Sequence, residues 1–237
     1  WGFESIFSVK QTINGGYILA GYRESEDFIT LCWLIKIDDD GNQIWNKTYY
    51  FGRNSYANSV LQTSDEGYFI VGTLFYNNTF ENSNILLLRV DKDGNELWNR
   101  TYGNDMENMG IACKQTIDGG YIVAGVYYVE SLNNSFPWLL KLDANGDEEW
   151  IKTFISTENY YWEVYDVLQT DDGGYALVGA LDDKSFWWYY GWMIKTDMEG
   201  NETWRRKYNN YIWYHTPCSF CQTSDGGFIM TGMTANK

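Results

Sequence analysis

Apolar and polar residues alternate in short segments along the whole chain, and these segments come in pairs. The run S-V-L-Q-T leads through S-D-E-G into G-Y-F-I-V-G, and most related copies have D-G-G at the turn. Because glycine accepts positive φ, this pattern predicts a tight β-hairpin. A second hairpin follows, as in L-L-L-R-V-D-K-D-G-N-E-L-W. The period of two favours strands throughout, and we expect almost no helix.

The paired segments form a repeat that is marked by Gln-Thr dipeptides. Five residues after each glutamine comes a glycine followed by an aromatic residue, and five further on comes a second glycine. The glutamines recur at intervals of 51, 53, 54 and 53 residues: Gln11, Gln62, Gln115, Gln169 and Gln222. The second glycines keep the same spacing: Gly21, Gly72, Gly125, Gly179 and Gly232.

Four short antiparallel strands in each repeat are typical of one blade of a β-propeller. We therefore predict an all-β chain with about 4.5 repeats of roughly 53 residues. It would have five blades with an incomplete last blade, or be part of a larger ring. As a single domain over 1–237, it would divide into blades at about 1–51, 52–103, 104–155, 156–209 and a partial 210–237.

The second hairpin of each complete repeat has fixed polar and aromatic positions. An aspartate stands three residues before a glycine, and a tryptophan stands four residues after it: Asp38, Asp91, Asp143, Asp197, and Trp45, Trp98, Trp150, Trp204. We expect the tryptophans to wedge between blades. A cation stands two residues before each aspartate, on the same face of the strand, and we expect charge pairing there: Lys36, Arg89, Lys141 and Lys195.

Two of these motifs carry a resemblance that covers the whole chain. K-I-D-D-D-G-N-Q-I-W and Q-T-S-D-E-G-Y-F-I-V-G resemble the repeats of secreted archaeal and bacterial cell-surface β-propellers. The D-x-x-G-x-x-x-W core is similar to the tryptophan-docking blades of quinoprotein-type propellers. The resemblance implies ligand binding, adhesion or assembly and, in some branches, quinone-dependent oxidation.

Charge limits the range of partners. Seventeen basic and 32 acidic residues give a net charge of −15, which argues against nucleic acid. No apolar run reaches the roughly 18 residues needed to span a bilayer. Five Asn-x-Ser/Thr sites are candidates for glycosylation and favour an extracellular or cell-surface location: Asn46, Asn77, Asn99, Asn133 and Asn201.

The candidate binding residues are aromatic residues in segments that differ between repeats. The repeat register places them in the links before blades four and five and in the middle loop of blade four, so they should be neighbours. Aromatic faces stack on sugar rings or anchor protein partners, although they also pack blade interfaces. The candidates are Tyr160, Tyr161, Trp162, Trp187, Trp188, Tyr189, Tyr190, Tyr211, Trp213 and Tyr214.

Metal and catalytic chemistry receive weak support. Asp38, Asp40 and Asn42 alternate oxygen atoms as the start of a calcium loop does, but no closing glutamate follows, so we expect a plain turn and no metal. His215, Cys218 and Cys221 lack a fourth zinc ligand. The four cysteines of the chain, these two together with Cys32 and Cys113, permit three disulfide pairings. Free buried thiols are the default expectation. No nucleophile motif appears, and we expect neither catalysis nor a cofactor.

The sequence therefore predicts a non-enzymatic extracellular recognition or adhesion module whose partner is a glycan or a cell-surface protein. The alternative is a structural subunit of a surface layer or filament, which would self-assemble through the edge of the incomplete blade. A quinoprotein-like enzyme ranks third.

Overall fold

The computed structural model describes residues 2–76, 82–103, 107–158, 160–182, 184, 189–208 and 214–235, with backbone alone at 214–217, 234 and 235. Eighteen strands lie in these ranges. Those of the first two repeats are β1 Glu4–Gln11, β2 Tyr17–Glu24, β3 Thr30–Ile37, β4 Gln43–Tyr49, β5 Ser55–Gln62, β6 Tyr68–Phe75, β7 Ser83–Val90 and β8 Glu96–Tyr102. The others are β9 Glu107–Gln115, β10 Tyr121–Val129, β11 Asn134–Leu142, β12 Glu148–Thr153, β13 Tyr161–Gln169, β14 Tyr175–Asp182, β15 Tyr189–Thr196, β16 Glu202–Tyr208, β17 Tyr214–Gln222 and β18 Phe228–Ala235.

The strands form four-stranded antiparallel sheets in chain order, β1–β4, β5–β8, β9–β12 and β13–β16. The fifth repeat contributes β17 and β18, which join the fourth sheet through one parallel pair between Tyr189 and Tyr214. Within the described ranges the one helical segment is the 3₁₀ turn Glu130–Leu132, and no helix has the length and apolar character needed to cross a membrane. The predicted fold class, an all-β propeller of four-stranded blades, is confirmed.

The chain divides into two compact units, residues 1–113 and 114–237. The prediction of a single domain therefore stays a prediction. In the first unit the core lies between the first two sheets, where Ile18, Leu34, Ile70 and Leu88 are fully buried. Strands β6 and β7 are buried at every position, whereas the last strand of each sheet alternates between exposed and half-buried residues. The middle strands of the second sheet are thus covered on both faces.

In three repeats a β-bulge in the first strand requires the second glycine. In blade two the register shifts between Ala57 and Ser59, and Gly72 pairs with Ala57 at this point. A Cβ atom on Gly72 would lie less than 3.0 Å from the carbonyl oxygen of Tyr56. Gly21 and Gly179 are opposed in the same way by the carbonyls of Ser5 and Glu163. The bulged backbone occupies the place of the missing side chain.

Three of the repeated glutamines connect their blade to the one before it. The Gln62 side-chain oxygen accepts a hydrogen bond from the backbone N–H of Ile13 at 2.7 Å. Gln169 accepts in the same way from Ile117, at 2.8 Å, and Gln222 from Asp171, at 2.8 Å. The amide nitrogen of each glutamine donates to a carbonyl in its own turn. The regular spacing of the glutamines therefore places these three side chains at contacts between blades.

The predicted wedging of the strand-four tryptophans is confirmed at three positions. Trp45 contacts Tyr68, Trp150 contacts Tyr175 and Trp204 contacts Phe228, each in the next repeat, with ring centroids 5.6 to 6.2 Å apart. Trp98 packs against Phe69 of its own sheet at 6.1 Å.

Three cations of the third strands form ion pairs with carboxylates other than the turn aspartates. Arg89 pairs with Asp65, Lys141 with Asp118 and Lys195 with Asp172, so the carboxylate comes from the first hairpin of the same blade. The predicted charge pairing is therefore confirmed for these three cations, although the carboxylate is not that of the aspartate two residues away. In the first repeat Asn14 replaces the aspartate, and Lys36 donates to the carbonyls of Gly15 and Ile37, each at 2.9 Å. The cations are buried, so they require these acceptors.

We expect Asp172→Asn to destabilise the protein at neutral pH and to cost less as the pH falls. The hydrogen bond from Thr170, together with Lys195, lowers the pKa of Asp172 to about 2 from 3.8. Because the folded pKa is the lower one, this stabilisation is present above the unfolded value and is lost as the pH falls from about 4 to about 2. Unfolding temperatures of both proteins across this range measure the effect. Exposed Asp171→Asn is the control, and a pH-independent difference for Asp172→Asn would contradict the expectation.

Candidate functional site

The first strand of the fourth blade carries two carboxylates that its counterparts lack. Glu163 and Asp166 lie in β13 on either side of the bulge at Tyr165, and all three side chains are half-buried. In register with Glu163, the other repeats have Ser5, Tyr56, Met109 and Thr216. In register with Asp166, they have Ser8, Ser59, Ala112 and Ser219. This carboxylate pair is therefore specific to the fourth blade.

Asp166 is surrounded by hydrogen-bond donors. Its carboxylate accepts from the backbone N–H of Val167 at 2.9 Å and from the Ser219 hydroxyl at 3.1 Å. The ammonium group of Lys114 lies 3.5 Å away, and the Asp166 side chain is only 15% exposed. A carboxylate held by donors on both oxygens has a fixed orientation.

Glu163 is hydrogen-bonded to the residue in the bulge. The phenol of Tyr165 donates to its carboxylate. Burial raises the pKa of Tyr165, and the bond to Glu163 and the nearby Cys218 and Tyr189 raise it further. The phenol therefore keeps its proton at neutral pH and remains a donor to Glu163.

Two tyrosines and a lysine form a cluster beside the start of β13. Tyr160, in the link before blade four, contacts Tyr190 of β15 edge to face at 6.3 Å. The Lys207 ammonium lies 4.1 Å from the centroid of each ring and donates to the Tyr160 hydroxyl at 2.9 Å. Tyr160 of the link before blade four therefore lies beside Tyr190 at the start of β15, and the predicted proximity of all three aromatic segments stays a prediction.

A second cluster surrounds Tyr161. Its hydroxyl donates to the side-chain oxygen of Asn133 at 2.5 Å, as does that of Tyr128 at 2.8 Å. The Lys184 ammonium lies 4.5 Å from the centroid of the Tyr161 ring. Both clusters place half-buried phenol rings next to the carboxylate strand.

The remaining predicted binding residues are placed differently or lie outside the description. Trp162 is 3% exposed and packs on Trp192 at 5.2 Å, so it offers no surface to a ligand. Tyr189 is half-buried at the start of β15, and Tyr214 is described in its backbone alone. The others lie outside the described residues: Trp187, Trp188, Tyr211 and Trp213.

The candidate glycosylation asparagines that the structure describes have hydrogen-bonded side chains. Asn46 accepts from the Trp33 indole at 2.6 Å, and Asn99 donates to Glu96 at 2.6 Å. Asn201 donates to Asp197 at 3.0 Å, and Asn133 accepts from the two tyrosines above. Asn77 lies outside the described residues. Glycosylation therefore stays a prediction.

The turn aspartates bind their own backbone. Asp38 accepts from the N–H groups of Asp40 and Asn42 at 3.0 and 2.7 Å, and from the Asn42 side chain at 3.0 Å. The Asn42 hydrogen bonds lower the pKa of Asp38. Among the described residues no group of three or more His, Cys, Asp or Glu side chains could hold a metal ion.

All four cysteines are free thiols. Cys32 and Cys113 are buried, as expected of the default, and burial raises the pKa of Cys32. Cys218 and Cys221, by contrast, are exposed. The side chain of His215 lies outside the described residues, so the three-residue cluster stays untested.

The sequence interpretation missed Glu163 and Asp166 because it assigned ligand binding to aromatic residues of the variable segments. Both residues lie inside a regular strand. The available signal was the comparison of the five repeats position by position, in which acidic side chains replace small, apolar or aromatic ones at these two places.

Comparison with known proteins identifies the fold. No family model and no curated protein sequence matches the chain. Among solved structures, an endo-arabinase from Bacteroides thetaiotaomicron has a TM-score of 0.58 at 10% identity, covering 98% of this chain and 89% of its own. A GH43_1 enzyme from Xanthomonas citri, complexed with xylose, has a TM-score of 0.50 at 9% identity, covering 97% and 93%.

These similarities correct the functional expectation. The solved structures that share the fold are named as enzymes, so the predictions of a non-enzymatic recognition or adhesion module and of a surface-layer or filament subunit are wrong. The expected absence of catalysis is wrong for the same reason. The likeness to repeated propeller blades is supported, whereas the comparisons lend no support to the quinoprotein link.

Proposed function

We propose that the protein is a carbohydrate-active enzyme that hydrolyses glycosidic bonds, with Glu163 and Asp166 as its carboxylates. The observation that carries the proposal is the pair itself, which appears in one blade of a propeller fold shared with glycan-degrading enzymes. Glycosidic hydrolysis commonly uses two carboxyl groups, one that protonates the leaving oxygen and one that acts on water or on the sugar.

The surroundings of the two carboxyl groups suggest which one acts as proton donor and which one acts on water or on the sugar. Asp166 is held by Lys114, Ser219 and the Val167 N–H, which match the lone pairs of an ionised carboxylate. It fits the group that acts on water or on the anomeric carbon. Glu163 has a neutral phenol as its described side-chain partner and fits the proton donor.

The tyrosines beside β13 would bind the sugar. Tyr160, Tyr161, Tyr189 and Tyr190 are half-buried, and a phenol ring can stack on the apolar face of a sugar while its hydroxyl remains solvated. One matched structure is named an endo-arabinase and another contains xylose. We therefore propose a pentose-containing polysaccharide as the substrate and, since such polymers are met outside the cell, an extracellular location.

The test is the release of reducing sugars from arabinan and xylan. We expect activity from the unaltered protein and a loss of about 10²- to 10⁴-fold in Glu163→Gln and in Asp166→Asn, the range typical of acid–base catalysis. Exposed Glu199→Gln in the same unit is the control and should keep full activity. Circular dichroism would verify that each variant folds. The proposal fails if neither polymer is cleaved, or if both variants remain fully active.

A further inference from the structure

A second candidate site lies in the first unit, among the hairpin turns that the sequence suggests are purely geometric. A cavity of about 250 Å³ opens between the turns of blades one and two. Its walls include Asp39 and Trp45 from blade one, and Glu66 and Tyr68 from blade two. Its size approaches the roughly 300 Å³ at which small-molecule pockets begin.

Two carboxylates distinguish this cavity from the equivalent places in other repeats. Glu66 has a φ of 66°, a left-handed conformation that disfavours any residue except glycine. The other four repeats have glycine there: Gly15, Gly119, Gly173 and Gly226. Asp39 is equally specific, because its counterparts are Lys92, Ala144 and Met198. Both departures from the repeat place an acidic side chain in the same cavity.

The other charged groups of the cavity already have partners. Lys36 donates to two backbone carbonyls, Lys92 pairs with Asp93 at 2.9 Å, and Asp38 accepts from its own turn. Asp39 uses one carboxylate oxygen, Oδ1, to accept from the Gly16 N–H at 2.6 Å. No described residue forms an ion pair or hydrogen bond with the Glu66 carboxylate. Lys36 also interacts electrostatically with Asp39, and Lys92 with Glu66. Four carboxylates against two ammonium groups still leave the cavity with net negative charge and spare acceptor oxygens.

A buried tyrosine adds an independent sign of a ligand. Tyr68 is 2% exposed and lines the cavity, yet no described residue hydrogen-bonds to its hydroxyl. Burial raises its pKa, and the charges of Glu66 and Asp93 raise it further, so the phenol is close to these carboxylates. The hydroxyl oxygen reaches the open space of the cavity, where a ligand or solvent can satisfy it.

We propose that this cavity binds the primary ammonium group of a small polar molecule. Three N–H donors and a positive charge match the oxygens of Asp39 and Glu66 and the Tyr68 hydroxyl. The rings of Trp45 and Tyr68, 5.9 Å apart, favour an organic cation over a hydrated metal ion. The proposal stands apart from the proposed hydrolytic function, because it rests on other residues and on binding alone.

The test uses glucosamine and glucose, which differ by the replacement of a hydroxyl with an ammonium group. Saturation-transfer NMR and calorimetry on the full chain should detect glucosamine and give no signal with glucose. Glu66→Gly and Asp39→Asn should each weaken glucosamine binding by about tenfold or more. Glu66→Gly installs the residue of the other repeats, so folding is not at risk. Asp40→Asn removes a neighbouring turn carboxylate outside the cavity and should change nothing.

Each other outcome overturns the proposal. Equal binding of both sugars would assign the cavity to neutral hydroxyl groups. Displacement of glucosamine by calcium chloride, with the same dependence on Glu66 and Asp39, would assign it to a metal. Undetectable binding of glucosamine, or unchanged binding in Glu66→Gly, would show that the carboxylates serve no ammonium ligand.

Discussion

Replacing Gly72 by alanine should destabilise the protein by about 3 kcal/mol or more, the upper range for forcing a methyl group into a filled space. The new Cβ would meet the Tyr56 carbonyl oxygen and carbon and the Ala57 Cα, all of them backbone atoms that no change of rotamer can move. Relief would require loss of the bulge and a register shift that turns the apolar residues of β5 outward.

Gly41→Ala is the matched control, since it adds the same methyl group in the same unit. Gly41 has a φ of 84°, and a Cβ atom added there would meet no other atom within 4 Å, so alanine should cost about 1 kcal/mol from backbone strain alone. Chemical denaturation of both variants measures the difference. A Gly72→Ala protein as stable as Gly41→Ala would contradict the role of the bulge, whereas failure of Gly72→Ala alone to fold would support it.

Replacing Trp150 by alanine should cost about 3 kcal/mol, within the range for large-to-small substitutions at a packed position. The indole packs on Tyr175 and lies so close to Gly200 that a Cβ there would collide with it. Alanine would therefore leave a void between the third and fourth blades. The measurement is the unfolding free energy in urea.

Ile151→Ala is the control for this substitution. Ile151 is adjacent in β12 but 48% exposed, so its loss should have a much smaller effect. Trp150→Phe should recover part of the stability, because it restores an aromatic ring at the interface. Equal effects of Trp150→Ala and Ile151→Ala would exclude docking by the indole as a main source of stability.

The sequence predicts the fold well because the same structural requirements recur in successive repeats and fix the same residue types at the same spacing. Gly72, Trp45 and Gln62 each meet a local structural requirement that recurs along the chain, so their regular spacing reveals them. The sequence shows which carboxylates are near Arg89 along its own strand. The carboxylate that pairs with Arg89 is that of Asp65, which is 24 residues away in the chain and lies in the first hairpin of the same blade. Sequence distance carries no information about such a contact.

The two candidate sites could not be predicted from the sequence for a related reason. Glu163 and Asp166 lie in a strand whose pattern is otherwise ordinary, and their significance depends on Lys114 and Ser219, 52 and 53 residues away from Asp166. Glu66 looked like a variant turn residue, and only the three-dimensional structure reveals that it faces the same cavity as Asp39 and Tyr68. Departures from the repeat, rather than the repeat itself, carried this information.

The glutamine contact between blades also bears on how such a chain can lengthen. Its acceptor is a side chain present in every repeat, and its donor is a main-chain N–H that any residue except proline supplies. A duplicated gene segment would therefore encode a blade that already fits its neighbour, with no compensating substitution. Because the glutamine contact does not depend on the side chain of the neighbouring residue, a single blade can acquire carboxylates without losing this contact.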